Sequence, residues 1–77
     1  MKIKVLLFGI LAEKAGSAEL EIEDVSSLDE LKRHIIKKHP SFAGYKYRIS
    51  VNQSLADEDV SLADGDEVAL LPPFAGG

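Results

Sequence analysis

The two most continuously apolar stretches of this 77-residue chain lie near its opposite ends. Lys2-Ile3-Lys4-Val5-Leu6-Leu7-Phe8 begins as a polar/apolar alternation and becomes wholly apolar; Glu67-Val68-Ala69-Leu70-Leu71 is apolar after its first residue. Short runs of this kind read as strands entering a sheet interior, with Ile3, Val5 and Leu7 facing a core. Their apolar density points to central places in the sheet. Laying the first and last strands side by side and parallel at the sheet centre buries both.

The residues between them supply edges and a cover. Gly9 breaks the first strand, and Ile10-Leu11-Ala12-Glu13-Lys14-Ala15 reads as one or two helical turns stopped by Gly16. In the next stretch Ala18, Leu20 and Ile22 alternate with Glu19, Glu21 and Glu23, the pattern of a half-buried strand with a solvated acidic face. No histidine converges on those three carboxylates, so they do not read as a metal site. After a turn at Asp24-Val25-Ser26, Ser27 and Glu30 have the spacing of a capping box. Leu28, Leu31 and Ile35 form the apolar stripe of an amphipathic helix. Asp29 and Glu30 suit its positive end, and Lys32, Arg33, Lys37 and Lys38 its negative end, so the macrodipole accounts for the only basic cluster. His39-Pro40 ends the helix. The aromatics of Ser41-Phe42-Ala43-Gly44-Tyr45-Lys46-Tyr47 are expected to cover the core edge. Arg48-Ile49-Ser50-Val51-Asn52 is a strand with Ile49 and Val51 inward, and Asn52-Gln53-Ser54 is a turn. Val60 and Leu62 suggest a very short strand, and Ala63-Asp64-Gly65-Asp66 a turn. The order predicts one α+β domain over residues 1–77, of the β-grasp type: a mixed sheet with parallel first and last strands and one main helix packed across it.

Composition narrows the chemistry. Cysteine is absent, which removes disulfides, thiolate metal ligands and a cysteine nucleophile. His34 and His39 have no second ligand at metal spacing and read as structural, so no metal is expected. Acidic residues outnumber basic ones 13 to 9, a net charge of −4, the wrong sign for a phosphate backbone. No apolar run approaches the ~20 residues that span a membrane, and the N-terminus lacks a signal-peptide pattern. The expectation is a cytoplasmic protein with no nucleic-acid or membrane partner.

The chemistry concentrates in Pro72-Pro73-Phe74-Ala75-Gly76-Gly77. The two prolines fix φ, lack an N–H and end strand pairing. Two glycines with nothing after them make a tail without side chains, narrow enough to thread a channel, and its one reactive group is the terminal carboxylate. Residues 72–77 therefore read as a flexible tail, extended over roughly 20 Å at most, on a compact handle. A frayed, inert terminus is the bland alternative.

With these residues in view, the chain resembles the small, sulfur-carrying subunit of molybdopterin synthase, within the ubiquitin-like β-grasp family. The resemblance covers the whole chain in length and element order. It rests on Val5-Leu6-Leu7-Phe8-Gly9 followed by Glu13 and Gly16, on Asn52-Gln53, on Asp64-Gly65-Asp66-Glu67-Val68, and on the Pro72-Pro73 and Gly76-Gly77 pairs. Phe74 departs from the smaller aliphatic residue the family pattern has there.

The resemblance implies a role for each partner. An E1-like activating enzyme uses ATP to adenylate Gly77; a persulfide donor converts it to a thiocarboxylate (1-thioglycine). The large synthase subunit then takes up the tail, with Pro72, Pro73, Ala75 and Gly76 bound along the way, and sulfur passes to a cyclic pyranopterin precursor in molybdenum cofactor biosynthesis. The chain itself is then a non-catalytic small subunit, a protein cosubstrate that binds no cofactor, in a heterotetrameric synthase. Delivering a tail requires holding the body at the channel mouth. Phe8, Leu71 and Phe74 are the candidate interface residues, because parallel pairing puts the ends of the first and last strands at one sheet edge. The alternatives are a sulfur carrier for thiamine synthesis or tRNA thiolation, a ubiquitin-like protein modifier, and an inert interaction domain.

Overall fold

The structure, a computed structural model, describes residues 2–56 and 58–72. Its elements are β1 (Lys2–Leu7), α1 (Ile10–Ala15), β2 (Glu19–Glu23), α2 (Leu28–Lys38), a 3₁₀ turn (Pro40–Gly44), β3 (Arg48–Val51), β4 (Ser54–Leu55) and β5 (Glu67–Leu71). The strands form one sheet in the order β2-β1-β5-β3-β4. β5 runs parallel to β1 and antiparallel to β3, so the two apolar end strands are neighbours at the centre. This is the mixed β-grasp sheet that the sequence predicts.

One face of the sheet carries the core. Ile3, Val5 and Leu7 of β1, Ile22 of β2, Ile49 of β3, and Val68 and Leu70 of β5 pack beneath Leu28, Leu31 and Ile35 of α2. Phe42, in the 3₁₀ turn, is fully buried; burying a side chain of that size is worth about 1.5–3 kcal/mol. His39 stacks on it with ring centroids 5.3 Å apart, a packing role of the kind the sequence suggests for this residue.

Three local readings need correction. The short fourth strand is Ser54–Leu55, and residues 60–62 contribute only an isolated bridge between Ser27 and Ser61. The reason is the turn before it: Asn52 and Gln53 both take positive φ, 49° and 72°, which matches the twist of a tight hairpin and brings the chain straight back onto β3. Ala18 lies outside β2 and is exposed, and the strand begins at Glu19. The capping box forms by half: the Ser27 hydroxyl accepts the Glu30 N–H at 3.2 Å, but the Glu30 carboxylate accepts from the Ser26 hydroxyl at 2.6 Å.

Candidate docking face at the exit of β5

Among the described residues no helix covers the second face of the sheet. Cross-strand register lays a row over it from edge to edge: Glu19, Leu6, Ala69, Ser50 and Leu55. One step further along β5, Leu71 stands opposite Arg48. Phe8 continues the alternation of Lys4 and Leu6 just past β1. One step back, Lys4 lies between Glu21 and Glu67. The face is therefore charged where β1 and β5 begin and apolar where they end. Phe8 is 46% exposed and Leu55 55% exposed, large values for apolar side chains. Leu6, Ala69 and Leu71 are half-buried between them. An apolar cluster rimmed by Arg48 and Glu19 has the make-up of a surface that another protein covers.

The start of β5 is fixed by a polar clamp. The Asp66 carboxylate accepts the Ala63 N–H at 2.8 Å and the Asn52 side-chain amide at 3.1 Å. Asn52 in turn accepts the Glu67 N–H on its side-chain oxygen at 3.0 Å and donates its own N–H to the Glu67 carbonyl at 2.7 Å. Those bonds, led by the Ala63 N–H, hold the Asp66 carboxyl below its usual range. Asp64 accepts the Lys2 N–H at 2.7 Å, and Gly65, at φ +85°, donates to the Lys2 carbonyl at 2.9 Å. The Asp64-Gly65-Asp66-Glu67-Val68 run is thus what ties β5 to β1 and β3 in one register.

The start of α2 offers no anion site. The amides at the start of α2 are taken by the chain itself: Leu28 N–H by the Val60 carbonyl, Asp29 N–H by the Asp59 carboxylate at 2.8 Å, and Glu30 N–H by Ser27. Lys32 and Arg33 pair with Asp29 at 4.0 and 3.6 Å. Among the described residues no group of three or more His, Asp or Glu could hold a metal ion. Among them, too, no helix is long and apolar enough to cross a membrane.

Of the expected interface residues, Phe8 and Leu71 are brought to the same end of the open face. Phe8 is not core. Pro72 is half-buried just beyond β5. Pro73, Phe74, Ala75, Gly76 and Gly77 lie outside the described residues. Sequence reasoning missed Leu55. Its signal is an apolar residue two places after Gln53, which becomes readable only once the Asn52-Gln53 turn is recognised as a hairpin.

Residues 5–77 match the model of the ThiS family. The chain belongs to the ThiS family. Within it, the molybdopterin synthase sulfur carrier subunit of Escherichia coli (strain K12) is 36% identical over 80 residues, covering 97% of this chain and 99% of that protein. The resemblance read from the Gly-Gly tail and the Asp-Gly-Asp turn therefore extends across the whole length. Among solved structures of this fold, a chain of the protein–protein complex of subunits 1 and 2 of the molybdopterin-converting factor from Helicobacter pylori 26695 is similar with a TM-score of 0.75 at 30% identity, over 100% of both chains. The small archaeal modifier protein 1 of Methanosarcina acetivorans has a TM-score of 0.85 at 25% identity, over 99% of this chain and 96% of that one.

Proposed function

We propose that this ThiS-family chain is the sulfur-carrier subunit of a molybdopterin synthase and works through its last residue, Gly77. The observation that carries the reading is that β5 leaves the centre of the sheet at the apolar end of the uncovered face. The residues that would hold a partner thus lie beside Pro72, the last described residue before those that would react inside it. The Helicobacter pylori complex of two subunits supports a large-subunit partner.

The chemistry follows from the terminus. A carboxylate is a poor electrophile, so an activating enzyme first joins the Gly77 carboxylate to the α-phosphate of ATP and releases pyrophosphate. The terminal sulfur of a persulfide attacks the acyl carbon, and the bond to AMP breaks. A second thiol then reduces the acyl disulfide, is itself oxidised to a disulfide with the donor, and leaves a thiocarboxylate on Gly77. In the large subunit that sulfur replaces an oxygen substituent on a carbon of the cyclic pyranopterin precursor. Water cleaves the acyl–sulfur bond and returns the carboxylate. This chain supplies no catalytic base: it delivers sulfur, and with no cysteine it has no thiol of its own to attack the acyl group.

A second reading, favoured by the likeness to an archaeal modifier, has a lysine amine attack the same acyl-adenylate and form an isopeptide bond. Intact-mass analysis of the protein from its native cell separates the two. The carrier reading expects a fraction heavier by one sulfur replacing one oxygen. Gly77 found only in isopeptide linkage, or only as plain carboxylate under conditions of active cofactor synthesis, overturns it.

A further inference from the structure

We propose that Gly9 is a positioning residue for the tail: its bare backbone is the seat on which Pro72 rests, and that seat sets the heading with which the chain leaves the sheet. Gly9 follows β1 and serves as N-cap of α1, with φ 56° and ψ −131°. That conformation is open to glycine and costly to residues with a Cβ. An ideal Cβ built there would stand 3.2 Å from Cγ of Pro72, inside normal van der Waals separation. Gly16 and Gly65 make the comparison informative. Both have positive φ, +74° and +85°, and a Cβ on either would meet nothing within 4 Å. Backbone conformation alone accounts for those two. Gly9 carries a second constraint, contact with the first residue after β5.

The seat is held on both sides. The Phe8 carbonyl accepts the Leu11 N–H at 3.2 Å, and the Gly9 carbonyl accepts the Glu13 N–H at 3.3 Å, so α1 fixes the turn from above. Below it, β1 is in register with β5 as far as Leu7 and Leu70. Pro72 contributes a ring with φ near −65° and no freedom at that bond. A rigid ring against a rigid turn transmits direction, whereas a flexible residue at either place would not. The short span of five residues beyond Pro72 makes that direction matter. A misplacement of about 1 Å at a reacting group can cost about a hundredfold in rate.

This inference rests on the carrier reading in one respect: heading matters because Gly77 must reach an active site. The test uses Gly9→Val and Gly9→Ala, with Gly16→Val as a variant that strains the backbone without touching Pro72. The first measurement is by NMR on the free protein. Pro72 ring protons show NOEs to the Gly9 Hα in the wild type, shift in Gly9→Val, and stay in place in Gly16→Val. The second is single-turnover sulfur transfer from chemically prepared Gly77 thiocarboxylate to the pyranopterin precursor in the purified large subunit. Gly9→Val is expected to slow transfer about tenfold or more while its affinity for the large subunit stays within about twofold. Gly9→Ala should fall in between, and Gly16→Val, assayed below its melting temperature, should keep the wild-type rate. If Gly9→Val does not fold, Gly9→Ala carries both measurements. Wild-type transfer by the Gly9 variants, equal slowing in Gly16→Val, or unmoved Pro72 resonances would each overturn the proposal. A wild-type protein that transfers no sulfur while its Pro72 ring responds as expected removes the carrier reading and leaves the seat standing.

Discussion

Asn52 and Asp66 act as a pair across a wide gap in sequence. Sequence reading placed a turn at each residue but had no means of joining them, because the bond between them exists only once β3 and β5 lie side by side. The turn at Gly65 was legible; the bonds of the carboxylate beside it were not. The pH behaviour follows from the direction of its shift. Asp66 is held below its ordinary value of 3.8. Its ionised form therefore adds stability that is fully present above pH ~4 and is lost as the pH falls through the lowered folded value. Asp66→Asn should lower the melting temperature at neutral pH and flatten its fall in acid. Thermal melts of both proteins between pH 2 and 7 check this, and parallel curves would show that the carboxylate is not part of the clamp.

At the level of elements, α2 was readable almost to its end residues. Its stripe, its Ser27 cap, its charge order and its Pro40 stop are all local. β4 was misplaced because its existence depends on the positive φ of Asn52 and Gln53, which neither residue type announces as glycine would. The same non-local character hides the second cap of α2. Asp59 belongs to the connection between β4 and β5, yet its carboxylate accepts the Asp29 N–H. Losing a side-chain cap costs about 1 kcal/mol. Asp59→Ala should therefore destabilise the domain by about as much as Ser27→Ala, as read by urea denaturation. No loss in Asp59→Ala would mean that Val60 and Ser27 alone hold the helix start.

Over the whole molecule, the proposed function divides the work between a body that would hold a partner and a terminus that would react, and the two roles can be separated. Phe8→Ala should weaken binding to the large subunit by about 2 kcal/mol, roughly thirtyfold, with little change in melting temperature, because Phe8 is already 46% exposed. Deleting Gly77 should leave that affinity nearly intact and abolish the sulfur-for-oxygen mass increase. Calorimetry and intact mass on both variants test the division, and a large drop in melting temperature for Phe8→Ala would return that residue to the core. The tail stands out in the sequence because two glycines after two prolines have few other uses, and its residues 73–77 lie outside the described residues. The candidate docking face was legible only in part, since apolar residues at alternate positions of a central strand look alike whether the second face is covered or bare. The central place of β5 also has a consequence for synthesis. The strand that joins the β1–β2 hairpin to the β3–β4 hairpin is the last to be translated. On the ribosome the nascent chain can therefore hold only two unlinked half-sheets, with the open face still in two pieces. An activating enzyme or synthase that recognises the closed sheet would by the same act pass over every chain terminated before β5.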